Sequence, residues 1–193
     1  MGAGHAHGDS GATNQRRLTV MLIFVAGYMV AEIIGGLLAN SLALLADAGH
    51  MFSDVAALAL SLFAIWFARR PPSPRHTYGY YRTEILAALI NGAILIAVSL
   101  YIFVEAFQRF GEPPEVQGPI MMAIAFGGLA INLVGLWLLK EGQSESLNVR
   151  AAWLSVMADT LGSVGVLIGG ALVWAFGWNW ADPAVSMIIG GLI

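Results

Sequence analysis

Five stretches of the chain are apolar and as long as a membrane-spanning helix, and this feature restricts the fold more than any other. A helix needs about 20 mostly apolar residues to cross the hydrocarbon core of a bilayer. We therefore expect an all-α fold, a polytopic membrane helix bundle. The five stretches are Leu18–Leu38, Ser41–Ala68, Ile85–Phe107, Ile120–Leu139 and Ala151–Phe176.

A sixth apolar stretch, Pro183–Ile193, is too short to span a bilayer. Because the sequence ends inside it, we expect six transmembrane helices with the sixth truncated, in a chain that is a fragment. A five-span protein with a re-entrant end is the alternative. Residues 18–193 are then the transmembrane domain, and the Gly-rich, polar residues 1–17 are expected to be a disordered cytosolic tail.

Composition excludes other classes of protein. Hydrophobic residues make up 58% of the chain and charged residues only 11%, against about 25% charged in an ordinary soluble domain. Nine Lys and Arg against twelve Asp and Glu argue against a nucleic-acid binder. The chain has no cysteine, so any metal site must use nitrogen and oxygen donors.

The basic residues predict the orientation, because cytoplasmic loops of membrane proteins are enriched in Lys and Arg. If the helices alternate, eight of the nine basic residues lie on one side and only Arg109 lies on the other. This predicts a multi-pass protein of the cytoplasmic membrane with a cytoplasmic N-terminus. The eight are Arg16, Arg17, Arg69, Arg70, Arg75, Arg82, Lys140 and Arg150.

Ionisable residues inside the second span point to an ion site. A carboxylate at the centre of a span costs on the order of 2.5–3.5 kcal/mol, so such residues mark functional sites by default. Asp47, His50 and Asp54 fall on one face of a helix. His50 and Asp54 are one turn apart, so an imidazole and a carboxylate can bind one ion.

The fifth span carries a matching polar stripe of Ser155, Asp159 and Ser163. If the two stripes face each other, His50, Asp54 and Asp159 supply one nitrogen and two carboxylates. That donor set suits Zn²⁺ and other first-row divalent ions better than Mg²⁺ or Ca²⁺, which prefer oxygen alone.

The remaining polar residues in the spans are interpreted mainly as structural. For four of them we favour interhelical hydrogen bonding, although Glu105 is also near enough to a span end to reach water. For Glu32, with Tyr28 one turn earlier, a structural and a functional role are both open. The four are Asn91, Ser99, Glu105 and Asn132.

Several motifs, in order, resemble the cation diffusion facilitator family in its bacterial zinc/cobalt/cadmium branch. Residues 41–54 (SLALLADAGHMFSD) resemble its second helix, and residues 76–84 (HTYGYYRTE) the loop before its third. Residues 148–163 (NVRAAWLSVMADTLGS) resemble its fifth helix, and residues 181–183 (ADP) the start of its sixth. The resemblance runs from about Leu18 to the last residue.

The resemblance implies six transmembrane helices, a homodimer, and export of Zn²⁺ or a similar ion in exchange for protons; Co²⁺, Cd²⁺, Mn²⁺ and Fe²⁺ are further candidates. It implies metal binding by His50, Asp54 and Asp159, with Ser155 where this branch has histidine. Asp47 either acts as a ligand that compensates for the missing histidine or only supports the packing of the bundle.

Two further features of the family bear on this chain. His76 matches a position that contributes to a secondary metal site in some relatives, and a plain loop histidine is an equal alternative. A cytosolic metal-binding domain usually follows the sixth helix, and this sequence ends before one.

The residues also give a reason for proton exchange, since a bound metal needs a neutral His50 and ionised carboxylates, so that metal and protons compete. Two rival functions remain. A metallohydrolase is disfavoured because no Glu stands beside His50 as in an HExxH motif, and we expect no enzyme. A non-transporting membrane scaffold or metal-sensing homologue is the stronger rival.

Overall fold

The computed structural model describes residues 6–68, 79–140, 143 and 147–192. Within these residues the chain forms six α-helices and no β-strand. The helices are α1 (Ala6–Ala39), α2 (Leu42–Ala68), α3 (Gly79–Gly111), α4 (Gly118–Leu139), α5 (Leu147–Phe176) and α6 (Ala181–Leu192).

Five of these helices, α1 to α5, are long and apolar enough to cross a membrane, and α6 is apolar but has only 12 residues. The predicted all-α polytopic bundle is therefore confirmed. The sixth apolar stretch becomes helical at Ala181, two residues earlier than predicted. Pro183 falls in the first helical turn, where its missing N–H group costs no hydrogen bond.

Helix α1 begins well before its apolar part. Residues 6–17 are helical as well. The physical reason is that extending a helix from an existing span adds one backbone hydrogen bond per residue without a new nucleation cost. It remains a prediction that the chain divides into a tail and a transmembrane domain. That the chain is a fragment also remains a prediction.

Helix α2 is central and contacts α1, α3, α5 and α6, while α4 packs against α1 and α5. Helices α4 and α5 approach each other closely where small residues face. A Cβ atom on Gly118 would lie 2.8 Å from the carbonyl oxygen of Gly170. Glycine therefore permits this close packing, which holds α5 in place relative to the bundle.

The helices alternate in direction, which separates two ends of the bundle. Helix α4 ends, and α1 and α5 begin, at the end that carries the exposed residues Arg16, Lys140 and Arg150. We call this the basic end. At the opposite end, Asn40 adopts a left-handed conformation (φ 53°) that ends α1, and Ser41 Oγ accepts a hydrogen bond from the Leu44 N–H as the N-cap of α2.

A network around the buried Asp182 joins three helices at the opposite end. Its carboxylate accepts hydrogen bonds from Ser41 Oγ (2.6 Å), from the Leu42 N–H (2.8 Å) and from the Ala43 N–H (3.2 Å). Arg109 of α3 lies 4.0 Å from it and donates to the Asn40 carbonyl oxygen at 2.9 Å. A negative group at a helix N-terminus is favourable, so Asp182 of α6 holds the first turn of α2.

Three of the four structural polar residues form the interhelical hydrogen bonds that the sequence predicted. Asn91 donates to Ser53 on α2 (2.9 Å), Asn132 to Ser163 on α5 (3.4 Å), and Ser99 to the Gly190 carbonyl on α6 (2.6 Å). For Glu105 the interhelical prediction is wrong. Its carboxylate accepts from Arg109 of its own helix at 2.9 Å, because that arginine lies one turn away at i+4.

The Asp182 network predicts a loss of stability on substitution. Asp182→Ala leaves three buried donors without an acceptor, which costs about 3 kcal/mol at about 1 kcal/mol each. The midpoint of thermal unfolding in detergent should fall by roughly 6–12 °C for a chain of this size. The matched control is Glu112→Ala, an exposed acid near the same end, which should change the midpoint little. Equal midpoints for the two variants would contradict the role given to Asp182.

Candidate metal centre

The candidate site lies where the middle of α2 passes α5. Helical spacing places His50 and Asp54 one turn apart on the same face of α2. Asp159 comes from α5, which also contacts α2. The polar stripes of the second and fifth spans therefore face each other, as the sequence required for a shared ion site.

His50, Asp54 and Asp159 form one cluster. Each offers one ligand atom, and the three atoms lie within 4.8 Å of one another. His50 Nε2 is 3.4 Å from Asp159 Oδ1, with the histidine side chain 25% exposed and the aspartate side chain 4% exposed. Among the described residues, this is the only group of three or more His, Cys, Asp or Glu with such spacing.

Each residue of the cluster has a buried atom that no hydrogen bond satisfies. These atoms are His50 Nδ1, Asp54 Oδ2 and Asp159 Oδ1. Buried polar atoms in proteins are nearly always hydrogen-bonded, and leaving one unpaired costs about 1–3 kcal/mol. The side chains of the cluster therefore keep an imidazole nitrogen and carboxylate oxygens that a divalent cation can use as ligands. Glu32, outside the cluster, also has both carboxylate oxygens without a hydrogen bond.

Ser155 also belongs to this region, but its contact is with a carboxylate. Its Oγ donates a hydrogen bond to Asp54 Oδ1 at 2.5 Å. Ser163, the third member of the α5 stripe, instead accepts the hydrogen bond from Asn132. The stripe is thus divided between the metal cluster and the contact with α4.

Asp47, a further candidate ligand, is not part of the cluster. Asp47 is buried and lies against α5, where a Cβ atom on Gly162 would be 3.2 Å from Asp47 Oδ1. His76 lies outside the described residues.

Glu32 is a buried acid whose role the sequence left open. Its side chain is fully buried in the bundle, near Tyr28 and Asp47. Tyr28 itself donates to the Ile124 carbonyl oxygen of α4 at 2.5 Å. The signal in the sequence was an acid within an otherwise apolar span, but periodicity alone does not show which neighbours it meets.

A cavity of about 220 Å³ leads from the cluster toward the basic end. Asp54, Ser155 and Asp159 lie at its inner part, and a cavity of this size holds several water molecules. Its other lining residues lie near the start of α1, in the second half of α2, at the end of α4 and near the start of α5. They are Leu18, Met21, Val25, Ala57, Leu58, Leu139, Ala151, Ala152 and Val156.

Toward the opposite end, the described residues pack closely. A hydrophobic cluster that includes Leu44, Ile102, Met121 and Val166, each almost completely buried, occupies the bundle there. The Asp182 network closes the same end. The site is therefore reached from the basic end in this structure.

Comparison with known proteins identifies a family and close relatives. Residues 18–193 match the family described as the cation efflux transmembrane domain. The chain is 47% identical over 192 residues to the cadmium, cobalt and zinc/H(+)-K(+) antiporter of Bacillus velezensis, covering 98% of this chain and 61% of the relative.

Two more relatives have similar coverage. The metal cation efflux system protein CzcD of Cupriavidus metallidurans is 45% identical over 190 residues, with 98% of this chain and 60% of the relative covered. The zinc transporter ZitB of Escherichia coli is 46% identical over 197 residues, with 100% of this chain and 63% of the relative covered. The chain thus spans about three-fifths of the length of these curated relatives.

The cavity predicts a difference in chemical labelling. Because the chain has no cysteine, Ala152→Cys places a single thiol in the cavity wall. Water there lets the reactive thiolate form, so a charged thiol reagent should label it roughly tenfold faster than a thiol covered by lipid. The control is Ala130→Cys, an exposed position within the α4 span. Equal labelling rates in reconstituted vesicles would show that the cavity is closed to water.

Proposed function

The chain belongs to the cation efflux family, and on that premise we propose that it exports divalent first-row metal cations, Zn²⁺ foremost, in exchange for protons. The observation that supports this most is the meeting of His50, Asp54 and Asp159, from two helices, within the apolar interior of a membrane bundle. A cost of several kcal/mol for such groups in hydrocarbon argues for a function that requires them.

These three residues are the proposed transport ligands. One imidazole nitrogen and two carboxylate oxygens are donors that Zn²⁺ accepts. The names of the relatives fit this choice, since they are called transporters or antiporters of zinc, cadmium and cobalt. None of the names is that of an enzyme, and we propose transport without a catalysed reaction.

Exchange with protons follows from the chemistry of the ligands. A metal ion binds the neutral imidazole of His50 and the ionised carboxylates of Asp54 and Asp159, so metal and protons compete for the same atoms. When the ion leaves, protons replace it and neutralise carboxylates that would otherwise stand charged in the bilayer. When the site, now without metal, faces the cytosol again, these protons are released there.

We propose that the basic end faces the cytosol and that the protein lies in the cell membrane. The enrichment of Lys and Arg at that end supports this orientation, and the proposed direction of transport rests on it. The cavity then admits cytosolic ions to the site, and the network around Asp182 closes the external end. Transport requires the reverse arrangement in turn, with the cavity closed and the external end open. Movement of α2 and α5 relative to their neighbours would interconvert the two.

The homodimer implied by the family is also a proposal. Helix α3 contacts α2 and α6 and exposes a long row of large apolar side chains. This surface suits either a second copy of the chain or lipid. The row includes Ile85, Leu89, Ile96, Leu100, Val104 and Phe107.

Transport should depend on the carboxylates of the site. Asp54→Asn and Asp159→Asn each remove a negative ligand, and we expect Zn²⁺-dependent proton movement to fall by roughly tenfold or more. The measurement uses proteoliposomes that contain a pH-sensitive dye. Glu112→Gln, the same change at an exposed position, is the control and should leave the flux unchanged.

The same assay separates transport from the rival scaffold or sensor function. If the parent chain binds Zn²⁺ but moves no protons or metal, the rival is supported. If Asp54→Asn transports at the parent rate, the proposed ligand set is wrong.

Metal binding should also weaken as the pH falls. Each proton displaced by the metal makes the apparent Kd rise by about tenfold per pH unit below the titration range of the ligands. We therefore expect the Kd for Zn²⁺ to be higher at pH 5.5 than at pH 7.5, as measured by titration of the detergent-solubilised chain. A Kd independent of pH across this range would rule out exchange of metal for protons at this site.

A further inference from the structure

The hydrogen bond between Ser155 and Asp54 divides the two oxygens of the Asp54 carboxylate. Oδ1 accepts from the serine hydroxyl at 2.5 Å, whereas Oδ2 is buried and has no hydrogen-bond partner. A hydrogen bond to an ionised acceptor is among the stronger kinds. Ser155 therefore fixes the orientation of the carboxylate and leaves one oxygen free for an ion.

Ser155 itself is a poor ligand for zinc. Protein ligands of Zn²⁺ are thiolate sulfur, imidazole nitrogen and carboxylate oxygen, and the Ser155 hydroxyl is neutral and already donates to Asp54. The protein thus offers an ion three donors, from His50, Asp54 and Asp159.

The remaining coordination positions face a space that water can fill. The cavity of about 220 Å³ is lined by Asp54, Ser155 and Asp159 and has room for several water molecules. An ion held by three protein donors next to this space can complete its coordination shell with water.

We propose that Ser155 is a positioning residue for Asp54 and that the site holds its cation with three protein ligands and water. This inference rests on the proposed transport function and concerns which ions the site takes. A shell rich in carboxylate and water suits ions such as Mn²⁺, Fe²⁺ and Co²⁺, whereas a second imidazole favours Zn²⁺. The site therefore prefers Zn²⁺ over Mn²⁺ by a smaller factor than a site with two imidazoles.

Three variants at one position test the proposal. Ser155→His adds a nitrogen donor, Ser155→Ala removes the hydroxyl, and Ser155→Thr keeps a hydroxyl. The Kd values for Zn²⁺ and Mn²⁺ are measured with the purified full chain in detergent, by competition with a metal-binding dye. The absorption of bound Co²⁺ reports the geometry, since its visible bands are intense in tetrahedral sites and weak in six-coordinate sites.

We expect weak Co²⁺ bands for the parent and intense bands for Ser155→His, with the Kd ratio of Mn²⁺ to Zn²⁺ raised about tenfold or more in that variant. Ser155→Ala should weaken binding of both ions by about 10–100-fold, the usual effect of losing a group that orients a ligand. Ser155→Thr, which keeps a hydroxyl, should retain most of the affinity of the parent for both ions.

Specific results would overturn the proposal. Intense Co²⁺ bands in the parent would show a four-coordinate site with at most one water, which would contradict the inferred water-rich shell. Binding by Ser155→Ala equal to that of the parent would remove the positioning role. If Ser155→Ala fails to fold, the proposal is still tested by the Co²⁺ spectrum of the parent and by the ratio of the Mn²⁺ and Zn²⁺ Kd values in Ser155→His. If neither the parent nor Ser155→His binds any of the ions, the proposed function itself fails, and this inference fails with it.

Discussion

The cost of placing charged groups in hydrocarbon governs the arrangement of this bundle. A carboxylate at the centre of a span costs a few kcal/mol even on the mildest scales, and most of the acids within the spans accordingly face other helices. Glu32, Asp47 and Asp159 are all nearly or fully buried. Because lipid offers these groups no partner, the helices that carry them must pack with their polar faces together. The proposed ion site is one result of this requirement.

Helix α2 connects the two polar regions of the molecule. Its first turn is held by Asp182 at one end of the bundle, and its middle carries His50 and Asp54. Around the first turn, helices α1, α3 and α6 meet through hydrogen bonds, whereas beyond the middle a cavity separates α2 from α1, α4 and α5. Within the described residues, the cavity opens the cluster toward the basic end, and close packing lies on the other side.

Local patterns predicted much of the fold, and the errors have local causes. The five spans and the pair His50 and Asp54 follow from the length of apolar runs and from helical periodicity, which depend on neighbouring residues alone. The predicted interhelical role of Glu105 was wrong because Arg109, one turn away on the same helix, donates a hydrogen bond to its carboxylate. The start of α1 at Ala6 shows that a helix continues past the apolar residues that define a span.

The sequence by itself determined that this is a polytopic helical membrane protein, which polar residues share a helix face, and that any metal site uses nitrogen and oxygen. Only the tertiary structure decided which faces meet. It paired Ser155 with one oxygen of Asp54 and Asp182 with Ser41, 141 residues away in the chain. The physical reason is that the rotation of one helix against another is set by side-chain packing along their whole contact, and no local pattern records it.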